Sequence, residues 1–179
     1  RTCSGGLFGS CVQDNLAVTE ICGNGIDEDC DGIDLVCSSG TEIIIDNDDS
    51  SLVSQTGTWA GSTYYPDFYG DNYLYSSNDV GNTFTWTTDL AAGEYEVYSR
   101  WTSVSGRPVD AEYEIFHSLG SDVVVVNQEQ NGGVWQLLGT YDFDGSSSVT
   151  LTSALSSEGT CADAIRFVLL NESFHEADI

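Results

Sequence analysis

The run from Cys22 to Asp34 reads C-G-N-G-I-D-E-D-C-D-G-I-D. Carboxylates at Asp27, Asp29 and Asp31 alternate along it, Gly32 follows, and Asp34 closes it. A hard cation such as Ca2+ takes oxygen ligands brought round one point by a sharp turn, which glycine permits. The opening D-x-D-x-D-G matches the start of an EF-hand loop. Ser38, however, stands where that loop carries a bidentate Glu. No amphipathic helix pattern flanks the run. The expectation is a calcium loop of another kind, clamped by Cys22 and Cys30, with Asp27, Asp29, Asp31, Asp34 and the Ile33 carbonyl as ligands. A solvated acidic turn without an ion is the alternative, although carboxylates this close repel unless a counter-charge sits among them.

Six cysteines stand at 3, 11, 22, 30, 37 and 161, five of them within the first 37 residues, where little apolar material could hold a fold. That is the pattern of a disulfide-stapled segment in an oxidising compartment. Many pairings are open. The scheme expected is Cys3–Cys11, Cys22–Cys30 and Cys37–Cys161, the last tying an N-terminal cap to the main domain. Zinc is the rival reading, weakened by the absence of a C-x-x-C pair.

Charge bounds the partners. The 179 residues carry 29 acids against four arginines and no lysine, a formal net charge of −25. Phosphate recognition runs on clustered Lys and Arg, so nucleic acid and anionic membranes are excluded as direct partners. No stretch approaches the ~20 apolar residues of a membrane span. Arg1 opens the chain without a signal-peptide pattern, as a mature or excised form would.

The elements that must position any site read as strands. Nineteen glycines, two prolines and short alternating runs rich in Ser and Thr point to an all-β body. Strands are expected at Glu42 to Asp46, from Gly57, at Asn82 to Thr87, Glu94 to Trp101, Asp110 to His117, Asp122 to Asn127, Val134 to Phe143, Ser148 to Thr152 and Ala162 to Leu170. Tyr64 to Tyr75 is an aromatic, loop-rich segment broken by Pro66 and Gly70. Roughly eight to ten such strands make a jelly-roll β-sandwich. The expected organisation is a Cys-rich calcium-binding cap over 1–40, a sandwich over 41–170 and a C-terminal tail over 171–179.

Two resemblances follow from these motifs. E-I-C-G-N-G-I-D-E-D-C-D-G-I-D, with the upstream R-T-C-S-G-G and G-S-C-V, resembles a metal-binding repeat of secreted bacterial surface proteins. F-T-W-T-T-D-L-A-A-G-E-Y-E-V-Y-S-R-W, then A-E-Y-E-I-F-H, N-G-G-V-W-Q-L-L-G-T-Y-D-F and A-D-A-I-R-F-V, resembles the golvesin/xanthan-lyase carbohydrate-binding-type domain from about Ile43 to Val168. This second resemblance implies a galactose-binding-like sandwich that binds glycan. Cys161, just before A-D-A, departs from the family pattern and reads as the anchor of the cap.

Within the sandwich, Trp59, Trp86 and Trp135 are expected to face the core. Tyr64, Tyr65, Tyr69 and Trp101 are the candidates to stack on sugar rings. Arg107 and His117 match polar positions of the family pattern. Arg107 is expected to pair with a carboxylate such as Asp110, and His117 to be either a groove ligand or a satisfied histidine at a strand end. Asp46, Asp48 and Asp163 could form a second calcium site near the sandwich base; turn chemistry for the first two and an Arg166 partner for the third is the alternative. Only His117 and His175 could serve a nucleophile, and neither resemblance brings a catalytic motif, so the chain is expected not to be an enzyme. Two function classes remain: an extracellular or cell-surface module binding polysaccharide, or a structural subunit joining copies of itself head to tail into a calcium-dependent filament.

Overall fold

The computed structural model describes residues 41–77 and 79–172. The expected N-terminal calcium loop, the run resembling a metal-binding repeat, the first five cysteines and the tail beyond 172 lie outside the described residues. Twelve strands make up the rest: β1 Glu42–Asp46, β2 Val53–Gln55, β3 Ala60–Ser62, β4 Tyr73–Ser76, β5 Thr83–Asp89, β6 Gly93–Arg100, β7 Ala111–His117, β8 Gly120–Val126, β9 Gln136–Phe143, β10 Ser146–Thr152, β11 Thr160–Ala162 and β12 Ala164–Glu172. All pair antiparallel, in sheets ordered β1-β12-β6-β9, β2-β5-β10-β7-β8 and β11-β4-β3. No helix of the described residues is long and apolar enough to cross a membrane.

The period-two pattern explains how the two larger sheets meet. In β6, Tyr95, Val97 and Ser99 are buried while Glu94, Glu96, Tyr98 and Arg100 are more exposed. Phe84 and Trp86 of β5, Tyr113 and Ile115 of β7, and Val149 and Leu151 of β10 supply the facing layer. Ile45, Ile165, Phe167, Leu138 and Phe143 close the core from the four-stranded side. Each large apolar side chain removed from water in this way contributes about 1.5–3 kcal/mol. The result is the all-β jelly-roll sandwich that the strand pattern predicts.

Trp59 and Trp86 are buried, as expected, but Trp135 is only half-buried. It shares its parity with Leu137, which is 53% exposed, whereas Leu138 on the other face is buried. Trp101 errs in the opposite sense. It continues the inward parity of Tyr95, Val97 and Ser99 and is 1% exposed, so it is core and not a sugar platform. Its Nε1 donates to the Gln130 carbonyl at 3.1 Å.

A second, smaller core lies beside the first, built on Tyr73, Trp101 and Cys161. Cys161 is fully buried and carries a free thiol among the described residues; Cys37, its expected partner, lies outside them. Burial pushes its pKa up. β11, which carries it, is an edge strand of the three-stranded sheet. In place of a further strand, the side-chain amide of Gln128 takes up both main-chain groups of Cys161. Gln128 Oε1 accepts from the Cys161 N–H at 2.8 Å, and Nε2 donates to the Cys161 carbonyl at 2.8 Å and to the Tyr113 hydroxyl at 3.0 Å.

Gln128→Ala should therefore strand a buried N–H and a buried carbonyl, each costing about 1–3 kcal/mol. A thermal melt should show the midpoint falling by at least about 4 °C. In the same experiment a thiol reagent should label Cys161 only as the domain unfolds. Labelling of Cys161 in the folded protein would refute its burial.

Candidate functional site

Arg107 is 2% exposed. Its Nη2 donates to Thr102 Oγ1 at 2.6 Å, and Nη1 donates to the carbonyls of Gly159 at 3.0 Å and Glu158 at 3.5 Å. Its Cζ stands 5.2 Å from the Tyr73 ring centroid and 5.6 Å from that of Tyr65. A planar, weakly hydrated guanidinium can exchange water for ring faces and oxygen acceptors in this way. The expected ion pair with Asp110 does not form. Asp110 is exposed, and the ion pairs found among the described residues are Arg166–Glu42 at 3.5 Å and His117–Asp122 at 3.4 Å. Arg107 is thus the floor of a site and not its surface.

Above that floor lies a cleft of about 310 Å3, lined by Ser62, Tyr64, Tyr65, Tyr73, Tyr75, Ser77, Ser157 and Glu158. The hairpin β3–β4 places it, with Ser62 opposite Tyr73 and Ala60 opposite Tyr75. Alternation along β4 sends Tyr73, Tyr75 and then Ser77 towards the cleft, while Leu74 packs on the main core and Ser76 is buried. The turn into β11 closes the other side. Gly159 adopts φ +76° there, and any side chain on it would meet the Ser76 carbonyl. Tyr64 is 82% exposed and stands edge-on to Tyr65 at 4.9 Å. The Tyr65 hydroxyl donates to Glu158 Oε2 at 2.8 Å, which pushes the phenol pKa up and keeps it protonated. Open tyrosine faces, serine hydroxyls and one carboxylate are chemistry suited to a polyhydroxylated ring: C–H faces pack on the rings and hydroxyls bond at the rim.

A separate pair of acids lies against Tyr69 and Gly70. Both carboxylate oxygens of Asp163 accept from the Tyr69 N–H, at 3.1 and 3.2 Å. Gly70, at φ +63°, lies so close to the Asp46 carboxylate that a side chain there would collide with it. Desolvation pushes Asp163 up to about 8; the Tyr69 hydrogen bond opposes the shift and the Asp46 charge adds to it. Desolvation raises Asp46 to about 6, with Asp48, Asp49 and Asp71 adding repulsion. Asp48, expected as a third ligand, is instead held in the turn by the Asn47 and Asn72 side-chain amides at 3.1 and 2.6 Å. No group of three or more His, Cys, Asp or Glu gathers round a point among the described residues. Nor is Arg166 the partner of Asp163; it pairs with Glu42 and lies against Tyr98 and Trp135.

The sugar-contact candidates therefore part company. Tyr64 and Tyr65 reach the cleft. Tyr69 belongs to the acid pair and packs on Trp135 at 5.6 Å. Trp101 and Arg107 are buried beneath. His117 lies at the end of β7, outside the cleft lining, stacked on Tyr141 at 5.1 Å; its Nδ1 accepts from the Leu119 N–H, while its buried Nε2 makes no hydrogen bond and stands 3.4 Å from Asp122. Tyr73, Tyr75 and Glu158 were missed as site residues. The first two sit in the aromatic segment already singled out, and their strand parity was the usable signal. Glu158, in a Ser-rich loop, carries none.

The chain is similar to known proteins over the same span. Residues 43–169 match the model of the Golvesin C-terminal domain family. Xanthan lyase of Bacillus sp. (strain GL1) is 38% identical over 134 residues, 70% of this chain and 14% of that protein. The solved Paenibacillus xanthan lyase superposes with a TM-score of 0.67 at 31% identity, over 75% of this chain and 14% of the other. The family 35 carbohydrate-binding module of Cellvibrio japonicus Abf62 shares the fold, with a TM-score of 0.54 at 16% identity over 72% of this chain and 93% of that one. The chain thus spans about a seventh of the length of the xanthan lyases it matches.

Asp163 ties stability to pH. Its carboxyl pKa is higher folded, about 8, than the ordinary 3.8. The folded form therefore holds a proton that the unfolded chain releases, so this contribution is complete below about pH 4 and is lost as pH rises through 8. In chelator-treated protein, stability should fall across that window. Asp163→Asn should flatten the slope and overtake the wild type at pH 8 by more than about 1.4 kcal/mol, the worth of one pKa unit. Denaturant melts at pH 4, 6 and 8 check it, and parallel profiles for the two proteins would refute it.

Proposed function

The chain belongs to the Golvesin C-terminal domain family, and on that premise we propose that it is a non-catalytic carbohydrate-binding module of an extracellular or cell-surface protein. The observation that carries this reading is the tyrosine cleft, whose exposed Tyr64 ring stands free beside the Tyr65–Glu158 bond. A glycoside hydrolase sets two carboxyl groups about a scissile bond, whereas Glu158 is the single carboxylate among the residues lining the cleft. The cysteine-rich N-terminal run supports an oxidising, extracellular setting.

Tyr64→Ala should remove a stacking face without touching the core. Calorimetric titration against a panel of soluble oligosaccharides should show at least tenfold weaker binding for the variant, with an unchanged melting temperature. Equal affinity for variant and wild type would move the site elsewhere.

Calcium is the cofactor of this reading. The N-terminal loop of Asp27, Asp29, Asp31, Asp34 and the Ile33 carbonyl supplies oxygen donors of the right kind. Asp46 and Asp163 supply carboxylates of a separate site, where a divalent cation would offset the desolvation, and the lesser charge repulsion, that raise both. Millimolar calcium should raise the melting temperature of the wild type by several degrees at pH 8. Asp29→Ala with Asp31→Ala, and separately Asp46→Asn with Asp163→Asn, should each remove part of that rise. A melting temperature indifferent to both calcium and chelator would rule it out.

A further inference from the structure

We propose that the cleft selects uncharged sugar units over uronates, and that Glu158 makes the selection. The proposal rests on the glycan-binding reading and adds the substrate class. Apart from Glu158, every group lining the cleft is a serine or a tyrosine. The three described arginines do not offer a cation to its surface. Arg107 is buried behind the rings, its guanidinium spent on Thr102 and Gly159. Arg100 lies on β6 and donates to the Asp67 carbonyl, and Arg166 lies on β12 against Glu42. A sugar carboxylate entering the cleft would face Glu158 directly, whereas the nearest cation, Arg107, lies beneath the Tyr65 and Tyr73 rings with N–H groups turned to Thr102 and Gly159, on a chain whose formal charge is −25. Like charges brought together across a partly desolvated site repel.

Glu158 is also held in place for a positive role. Oε2 is occupied by the Tyr65 hydroxyl, and the main-chain carbonyl is tied to Arg107. Oε1 has no protein partner among the described residues and can accept from a sugar hydroxyl. Ser157 beside it is exposed; its hydroxyl donates to the Gly106 carbonyl at 3.4 Å and leaves its own oxygen as a further acceptor. A neutral ring thus meets an acceptor, where a uronate meets a repulsion. The same carboxylate serves both ends of the discrimination.

Calorimetry on the full chain separates the outcomes. The probes are neutral gluco-, manno- and galacto-oligosaccharides, oligogalacturonate and oligoglucuronate of matched length, and chitosan oligomers. The wild type should bind at least one neutral series tenfold or more tighter than either uronate. Chitosan oligomers, carrying ammonium groups, should also bind more tightly than the uronates. Glu158→Gln keeps an acceptor for Tyr65 and should cut the neutral-to-uronate ratio to about threefold or less, at an unchanged melting temperature. Ser157→Arg, which sets a cation beside Glu158, should raise uronate affinity by itself. Added salt should narrow the wild-type ratio, because charge repulsion is screened. Uronates bound as tightly as neutral sugars by the wild type would overturn the selection while leaving glycan binding intact. Failure of every probe to bind would overturn the glycan reading itself, and the selection with it.

Discussion

The contact on which the site depends is the burial of the Arg107 guanidinium between the rings of Tyr65 and Tyr73. A buried cation is expensive unless its protons find acceptors and its charge finds an answer. Here the acceptors come from two separate places, Thr102 just after β6 and the carbonyls leading into β11. One side chain therefore staples the turn carrying Glu158 to the small core. No carboxylate touches the guanidinium among the described residues, so the ring faces and the oxygen acceptors carry its burial. Lysine could not substitute, since a single ammonium cannot lie flat against rings and reach acceptors on both sides.

Gln128 supports the same region by other means. β11 is three residues long and has no strand on its outer side. A side-chain amide with one donor and one acceptor can satisfy one residue of such an edge, and Cys161 is that residue. Two buried polar side chains, Arg107 and Gln128, thus fix a short strand that backbone pairing alone would hold weakly. The cleft stands on that strand and its partner β4.

Much of the sandwich was legible because burial on one face writes a period of two into the chain. Glu94 to Trp101 shows both how far that goes and where it was misapplied. The alternation locates the strand, and followed one step further it puts Trp101 inside. Reading Trp101, at the end of that strand, as a sugar-stacking candidate ignored its parity. Of the short strands, β3 was expected only as a run from Gly57, and β2, β4 and β11 were not separately legible, since three or four residues are too few to carry a pattern. The cleft was visible as an aromatic segment, but its composition could not say which rings would be buried. That depends on Arg107, which in sequence looks like any arginine seeking an acid. The acid pair is the reverse case: Asp46 and Asp163 were grouped from the sequence, together with Asp48, and the β1–β12 pairing, which sets Asp46 opposite Ala164, is what brings the two to one place.

The division of labour among the tyrosines has a consequence for how such a module can diverge. Tyr73 is at once floor of the cleft, member of the small core and ring partner of Arg107, so a substitution there disturbs folding before it alters recognition. Tyr64 and Ser157 are exposed and touch the cleft from its rim. Mutational drift at those two positions is nearly free of structural penalty, whereas Tyr73 and Arg107 are anchored. New ligand preferences should therefore accumulate at the rim, in a lineage whose floor stays the same.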